Sequence, residues 1–245
     1  MSHNIEIKEG AFLISDAHYS HKRPELLELI KAIHVDKLSP TQLIFMGDIF
    51  DALFGGVDFT VKNNQEMLEL INDISKKIEV VYLEGNHDFN IAKIFPSIKV
   101  FSISQQPVQC SFNKQTVYLA HGDFGSDLGY RVYTSLIRNP FILSVLGFID
   151  SVTNHSILKN LDTYLNKKDD CNDFKGFKEY IFKRLDDSFT CSYFIEGHFH
   201  QNETIEFEKF KYINLAAFAC NQRYFIVNLS HKELLLEEKI FSKEN

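Results

Sequence analysis

Five short apolar runs in this sequence each end in side chains that can bind a metal ion or transfer a proton. The five endings are Asp16-Ala17-His18, Gly47-Asp48, Gly85-Asn86-His87-Asp88, His121-Gly122-Asp123 and Gly197-His198-Phe199-His200. A mixture of carboxylates, a carboxamide and imidazoles suits borderline divalent metals such as Mn, Fe, Co or Zn, whereas Ca²⁺ prefers an all-oxygen set. The candidate ligands are too numerous for one ion and favour two metals. They are Asp16, His18, Asp48, Asn86, His121, His198 and His200.

The apolar runs that precede these endings have the composition of buried β-strands. They cover residues 12–15, 43–46, 80–83, 116–120 and 193–195, and they are rich in β-branched and aromatic side chains. Ligands of α/β proteins bind outside the carboxyl ends of the strands, so we expect the five endings to share one rim. In an extended segment, Asp-x-His and His-x-His would each point both side chains to the same side.

Helical patterns alternate with the first strands. Residues 24–38 place Leu26, Leu27, Ile30 and Ile33 on one face, and residues 61–77 show the same period. This alternation predicts βαβ units and an α/β fold. Residues 212–219, 223–229 and 234–241 are predicted to be successive strands that finish a sheet in antiparallel fashion. The strand signal is lost in residues 125–190, which indicates a helical cap inserted in a single domain covering residues 1–245.

Composition limits the class of protein. With 245 residues, 44% of them apolar, the chain can bury one sizeable core. A formal net charge of −7 argues against a partner such as duplex nucleic acid, which normally binds a basic face. The chain has 23 Phe and no Trp, which predicts an aromatic interior.

The cysteines and the apolar segments bear on the compartment. Cys110, Cys171, Cys191 and Cys220 are far apart and form no C-x-x-C pair, so we expect no disulfides and a reducing compartment. No secretory signal is visible at the start, and the longest apolar stretch, residues 141–149, is too short to span a bilayer. The sequence favours a cytoplasmic protein and leaves peripheral contact with the cytoplasmic membrane face open.

Taken together, the five endings resemble the calcineurin-like metallophosphoesterase superfamily. Its pattern D-x-H, G-D, G-N-H-D, H and G-H-x-H is intact here, and the similarity covers about residues 10–230. The resemblance implies an αβ-sandwich of two mixed β-sheets flanked by helices. It also implies one metal held by Asp16, His18, Asp48 and His200, and a second held by Asp48, Asn86, His121 and His198. Asp48 would then bridge the two ions.

The same resemblance assigns catalytic roles to two further residues. His87 matches the superfamily residue that protonates the leaving group or stabilises the charged transition state. Asp88 would orient the His87 ring, as a carboxylate commonly does for a working imidazole. The alternative for His87 is a bystander that takes no part in the reaction.

A narrower resemblance points to a substrate. Residues 47–55, and the His121-Gly122-Asp123 motif with Asp127, Gly129-Tyr130 and Arg138-Asn139-Pro140, resemble a bacterial branch, the UDP-2,3-diacylglucosamine diphosphatases of lipid A synthesis. This branch hydrolyses a pyrophosphate to a lipid sugar 1-phosphate and UMP. The resemblance implies manganese as the metal, and substrate contacts at Asn86, His87, Asp127 and His198. The sequence departs from the branch at His87, where Arg is typical.

Two questions stay open at this level. The substrate could instead be a soluble nucleotide cleaved by a general phosphodiesterase or phosphatase. A non-catalytic scaffold is less favoured because every ligand position is filled. Residues 141–149 could line an acyl groove, contact the membrane, or simply form the core of the cap.

Overall fold

Two six-stranded sheets form the centre of the molecule, which we describe from a computed structural model for residues 5–124, 128–165, 171–185, 189–230 and 232–242. In chain order, the strands are β1 (Ile5–Glu6), β2 (Phe12–Ile14), β3 (Gln42–Phe45), β4 (Leu53–Phe54), β5 (Glu79–Leu83), β6 (Asp88–Phe89), β7 (Lys99–Phe101), β8 (Val108–Phe112), β9 (Gln115–Ala120), β10 (Tyr193–Glu196), β11 (Glu203–Glu206), β12 (Lys211–Asn214), β13 (Arg223–Ser230) and β14 (Glu233–Ile240).

The α-helices follow the same numbering. They are α1 (Glu25–His34), α2 (Asp58–Asn63), α3 (Gln65–Ser75), α4 (Leu128–Ile137), α5 (Pro140–Val152), α6 (Ser156–Leu165), α7 (Phe177–Arg184) and α8 (Phe218–Asn221). The predicted helix over residues 61–77 is therefore two helices, because Asn64 separates α2 from α3.

Both sheets are mixed. One has the order β14-β13-β2-β3-β5-β7, with β2, β3, β5 and β7 parallel and β13 antiparallel to β2. The other has the order β1-β8-β9-β10-β12-β11, with β9, β10 and β12 parallel. The predicted αβ-sandwich of two mixed sheets flanked by helices is confirmed.

Side-chain alternation along the strands separates two hydrophobic layers. Leu13, Ile44 and Val81 point between the sheets and pack with Leu119 and Ile195 of the second sheet. The intervening residues of β2, β3 and β5 point the other way, toward the apolar faces of α1 and α3. Because both faces of these strands are covered, their sequences are almost continuously apolar.

The described residues of the segment predicted to form a helical cap, residues 125–190, contribute helices to two different places. Helices α4, α5 and α6 stand over the carboxyl ends of the strands, and their side chains line a shared cavity. Helix α7 instead packs on the outer face of the second sheet, where Phe177 and Ile181 contact a cluster with Phe194 and Tyr212. Much of the Phe excess lies in this cluster, which fits the predicted aromatic interior.

The predicted three-strand antiparallel finish is wrong in one strand. Residues 212–219 do not continue as a strand: β12 ends at Asn214 and α8 begins at Phe218. Strand β12 also lies in the second sheet, parallel to β10. Of the three strands predicted here, only β13 and β14 pair with each other, in antiparallel fashion, and β13 joins the pair to the first sheet through β2.

The prediction that no disulfide forms is also wrong. Cys171 and Cys220 are bonded, with their Cα atoms 5.7 Å apart, whereas Cys110 and Cys191 are free and buried. The two partners are 49 residues apart in sequence, so only the fold brings them together. The bond ties the segment before α7 to α8. Backbone N–H groups of Phe218 and Ala219 in α8 donate to the carbonyl oxygens of Ser15 and Asp16.

Within the described ranges, no single helix is long and apolar enough to cross a membrane. Helices α5 and α6 pass that test only as a pair, and they are bent by 101° with respect to each other.

Candidate metal centre

The predicted ligand residues lie in loops that follow β2, β3, β5, β9 and β10, at one rim of the sandwich. The Asp-x-His and His-x-His segments are not extended. Asp16 and His18 have φ values of 50° and 45°, and His198 and His200 have φ values of 65° and 61°. Asp48 shares this left-handed conformation, with φ of 51°. For non-glycine residues such backbone is strained, at a cost of about 1–3 kcal/mol each, and it clusters at functional sites.

The first group of donors consists of Asp16, His18 and His200, whose ligand atoms lie within 4.8 Å of one another. Asp16 Oδ1 is 3.1 Å from His200 Nε2. The backbone N–H of His198 donates to the Asp16 carboxylate, which fixes its orientation. These are three of the four residues that the family resemblance assigned to one metal.

The second group consists of Asp48, His121 and His198, again with ligand atoms within 4.8 Å of one another. His121 Nε2 lies 3.4 Å from Asp48 Oδ2 and 3.3 Å from Asn86 Oδ1. Asn86 therefore joins this group, as the resemblance predicted. The structure thus brings all seven ligand candidates to one rim, and Asp48 belongs to the second group of donors and not to the first.

Glycines allow the loops to approach this closely. A Cβ atom at Gly85 would overlap the Asp48 carboxylate, and one at Gly197 would overlap Ser15 and the Asp16 carboxylate. Gly47, with φ of 89°, would place a Cβ against the His121 ring. The glycines that precede three of the five ligand blocks are therefore a steric requirement of the site.

The electrostatics of the site favour a cation. Burial alone would raise the pKa of Asp16, but His200 outweighs it and holds that pKa below its usual range. Burial likewise opposes the shift at Asp48, whose pKa is lowered by His121 and His87. Asp48 and Asp16 in turn raise the pKa of His121 although burial lowers it. Two buried carboxylates held in their charged form attract a cation to this place.

Two further observations match a metal site. Burial, and after it the nearby His121, lower the pKa of His198 to about 3, so its imidazole is neutral at pH 7 and keeps a lone pair for a metal. Both ring nitrogens of His18 are buried and have no hydrogen-bond partner among the described residues. A buried imidazole without partners is costly unless it ligates. The donor set therefore fits divalent metal ions.

His87 borders the first group of donors. Its ring centroid is 4.8 Å from that of His18, and its Nδ1 lies 3.0 Å from the carbonyl oxygen of Asp51. The Asp51 carboxylate is itself 3.5 Å from His18 Nδ1, and His18, Asp51 and His87 form a third group of potential donors. No role for Asp51 was predicted, although its position three residues after Asp48 in the same loop is a usable signal.

The predicted role of Asp88 in orienting His87 is wrong. The buried Asp88 carboxylate accepts hydrogen bonds from the backbone N–H groups of Asp48, Ile49, Phe50 and Gly85, and from the Tyr82 hydroxyl. The His87 ring instead meets the Asp51 carbonyl. Asp88 therefore holds the backbone of the loops that carry Asp48 and Asn86.

Cap residues reach the same loops. Arg138, between α4 and α5, donates from Nη2 to the Gly85 carbonyl oxygen at 3.0 Å and to the Asp123 carboxylate at 3.2 Å. Its guanidinium also lies over the Phe89 ring, 5.5 Å from the centroid. The cap is thereby attached to the loops that follow β5 and β9. Asp127, predicted to bind substrate, lies outside the described residues.

An apolar cavity of about 380 Å³ adjoins the centre, and we call it the cap cavity. Asn86 and His87 line it at one end, with Arg138 beside them. The rest of its wall is mostly aliphatic and aromatic and comes from the loop before α2 and from α4, α5 and α6. Its lining includes Phe54, Val57, Phe89, Ile137, Leu143, Leu146, Ile157, Leu158, Leu161 and Tyr164.

A family model described as calcineurin-like phosphoesterase matches residues 12–202, which span every predicted ligand. The match and the donor groups define a metal-dependent phosphoester hydrolase. The chain belongs to the calcineurin-like phosphoesterase family.

Individual relatives are similar to this chain at low sequence identity. The chain is similar to a UDP-2,3-diacylglucosamine hydrolase from Pseudomonas fluorescens, at 24% identity over 77% of this chain and 78% of the relative. A protein of the same name from Pseudomonas putida is 27% identical over 61% of this chain and 63% of the relative. Among solved structures, the phosphoesterase Yfce from E. coli aligns with a TM-score of 0.46 and 12% identity, over 95% of this chain and 99% of that one.

Proposed function

We propose that the protein hydrolyses the pyrophosphate of UDP-2,3-diacylglucosamine to the diacylglucosamine 1-phosphate and UMP. The observation that carries the proposal is the cap cavity, whose apolar lining meets the candidate metal centre at Asn86 and His87. A lipid-linked phosphate needs such an arrangement, since its acyl chains must leave water while its phosphates lie against the metals. The names of the Pseudomonas relatives support the same substrate.

In the proposed reaction, the two donor groups hold the metal ions. Two divalent cations held by the two donor groups would neutralise phosphoryl oxygens and lower the pKa of a water molecule between them. Manganese is the proposed metal, although the donor types also suit Fe, Co and Zn. Asp48 lies beside His121 of the second group, and His18 of the first group further lowers the pKa of Asp48. Asp48 is therefore the proposed ligand of both ions.

His87 is the proposed acid of the reaction. The water oxygen bonds to phosphorus, the bond from that phosphorus to the bridging oxygen breaks, and the departing phosphate oxygen takes up a proton. With Nδ1 against the Asp51 carbonyl, His87 has Nε2 left for the leaving group. Asn86 and His198 remain proposed substrate contacts as well as ligands, and Asp127 a proposed contact from the start of the cap.

Peripheral contact with the cytoplasmic membrane face is part of this proposal. Helix α5 exposes Phe141, Phe148 and Val152, which are 77%, 68% and 65% exposed. The only charged residue within α5 is Asp150, and its side chain is buried. An apolar surface next to the opening of a lipid cavity suits a substrate delivered from a bilayer.

The test is release of UMP from UDP-2,3-diacylglucosamine by purified protein with Mn²⁺. Leu146→Trp narrows the cap cavity and should slow this reaction about tenfold or more, while an activated aryl phosphodiester is hydrolysed as before. Val145→Trp is the matched control, because Val145 lies next along α5, is 42% exposed and does not line the cavity. Hydrolysis of the aryl diester without any UMP release would favour a phosphodiesterase for soluble nucleotides.

A further inference from the structure

We propose that a second cavity beside the centre binds the nucleoside end of the substrate; this inference rests on the proposed function. The cavity has a volume of about 440 Å³ and lies between α2, α6 and the loop after His18. We call it the α2–α6 cavity, and its lining includes Tyr19, Ser20, Lys22, Asn64, Lys159 and Thr163.

The two cavities share lining residues, and one of these, Asp51, lies beside the candidate metal centre. Asp51 lines both of them, and its carboxylate is 3.5 Å from His18 Nδ1. Helix α6 forms part of the wall of each, through Leu158, Leu161 and Leu165. A diphosphate held at the metals therefore has one cavity available for each of its two substituents. A nucleotide-linked lipid is a molecule with two such unlike ends.

The polarity of each cavity indicates which end of the substrate it binds. The cap cavity is lined mainly by aliphatic and aromatic side chains, which suit acyl chains. The α2–α6 cavity carries hydroxyl, amide and ammonium groups alongside its apolar atoms. Its volume falls in the range of ordinary small-molecule sites. A sugar with two acyl chains would leave these polar groups without hydrogen-bond partners, whereas a nucleoside monophosphate can form hydrogen bonds with them.

Particular polar atoms are available for a base and a ribose. The Ser20 hydroxyl oxygen is buried and has no hydrogen-bond partner in the described part of the chain. Asn64 uses Nδ2 to donate to the carbonyl oxygens of Ala52 and Thr60, at 3.1 and 2.8 Å, so its Oδ1 remains as an acceptor. Uracil presents an N–H donor between two carbonyl acceptors, and a hydroxyl and an amide oxygen complement that edge.

Aromatic and cationic groups complete the cavity. The side chains of Tyr19 and Phe59 line it and offer apolar surface against which a base can stack. Lys22 and Lys159 stand at the exposed side, where Lys22 is 3.6 Å from Asp162.

The experiment measures binding of UMP, with Mn²⁺ present, by calorimetry. Thr163→Trp places a large side chain in the cavity from the exposed surface of α6, and it should weaken UMP binding about tenfold or more. Asn160→Trp is the matched control, because Asn160 is exposed on the same helix and lines neither cavity. Inorganic phosphate should bind both variants and the unchanged protein alike, since it needs only the metals.

The kinetics of hydrolysis test the nucleoside cavity independently of the binding experiment. For UDP-2,3-diacylglucosamine, Thr163→Trp should raise KM about tenfold, with no change in hydrolysis of an aryl phosphodiester that lacks a nucleoside. Ser20→Ala should weaken UMP binding several-fold through loss of one hydrogen bond. Equal UMP affinity in Thr163→Trp and Asn160→Trp would overturn the assignment, and so would tight binding of glucose 1-phosphate that Thr163→Trp abolishes.

The outcomes separate this inference from the proposed function. If the protein releases no UMP from the lipid but Thr163→Trp still abolishes UMP binding, the nucleoside cavity stands and the lipid substrate fails. If UMP is released at an unchanged KM by Thr163→Trp, the lipid substrate stands and the nucleoside cavity fails.

Discussion

The Nδ1 atom of His121 lies 3.0 Å from the carbonyl oxygen of Met46, the residue that follows β3. Since a carbonyl oxygen can only accept, Nδ1 carries a proton, and Nε2, which faces Asp48 and Asn86 at 3.4 and 3.3 Å, is the ring atom that would bind a metal. The end of one strand thus sets the tautomer of a ligand that comes from another strand.

This relationship makes His121 a decisive position for metal binding. His121→Ala should lower the bound metal by about one ion per chain and reduce aryl phosphodiester turnover about 100-fold or more. Metal content by mass spectrometry and circular dichroism would be recorded together, so that loss of metal is separated from loss of fold. His34→Ala, at a partly exposed histidine paired with Asp73, is the control and should change neither. Unchanged turnover in His121→Ala would remove the metal assignment.

His87 should act on the leaving group. His87→Ala should slow hydrolysis of alkyl phosphodiesters, whose leaving groups need a proton, by about 10²–10⁴-fold. Aryl diesters with activated leaving groups should lose much less, because their leaving oxygen is stable without a proton. The ratio of the two rates, measured at equal metal loading, is the relevant quantity. Equal losses for both substrates would assign His87 to metal or substrate positioning.

Asp88 should behave as a structural residue. Asp88→Asn places an NH₂ group among donors that include four backbone N–H groups and the Tyr82 hydroxyl. We expect it to lower the free energy of unfolding by about 2 kcal/mol or more, even in protein stripped of metal. Tyr82→Phe removes one donor and should cost about 1 kcal/mol. Urea unfolding measures both, and an inactive Asp88→Asn protein of unchanged stability would restore a catalytic role.

Strand topology explains why the predicted ligands lie close together. Parallel strands deliver their carboxyl ends to one rim, so Asp16, Asp48, His121 and His198 converge whatever the details of the loops. The backbone at these residues was not predictable, since left-handed Asp and His are rare and are imposed by tertiary contacts.

Other features depend on contacts between distant parts of the chain. Asp88 reaches the backbone of Ile49 across 39 residues, and Cys171 pairs with Cys220 across 49. Helix α7 has the periodicity of a cap helix but packs on the second sheet, because its aromatic residues meet those of β10 and β12. The periodicity of apolar residues along the sequence predicts a helix or strand and which of its faces is buried. It does not predict which other part of the protein packs against that face.

The exposed face of α5 should bind lipid bilayers through apolar contact. Phe141→Ser combined with Phe148→Ser should reduce co-sedimentation with phosphatidylcholine vesicles about tenfold or more, since each Phe contributes about 1.5–3 kcal/mol when buried. Binding of the unchanged protein should vary little between low and high salt. Val35→Ser is the control, because Val35 is 59% exposed at the end of α1. Strong dependence on anionic lipid would contradict an apolar contact.

Asp150 should make the stability of the cap depend on pH. Its Oδ1 accepts from the backbone N–H groups of Ile157 and Leu158 in the first turn of α6, and its Oδ2 lies 2.8 Å from His155 Nδ1. Burial raises the pKa of Asp150, but these hydrogen bonds outweigh it and hold the pKa below its usual value of 3.8. The folded state therefore favours the carboxylate, and this contribution is present above about pH 4 and is lost as pH falls through the lower folded pKa.

Asp150→Asn removes that charge and keeps one acceptor. We expect it to lower the Tm by about 2–4 °C at pH 6, as about 1 kcal/mol does in a chain of this size. The difference from the unchanged protein should shrink as the pH falls below about 4, because the unfolded chain then takes up a proton at Asp150 and the advantage of the folded carboxylate is progressively lost. Asp162→Asn, in the exposed ion pair with Lys22, should change the Tm very little at either pH. A Tm difference for Asp150→Asn that is the same at pH 3 and pH 6 would mean that Asp150 acts through packing, since only a charge effect disappears on protonation.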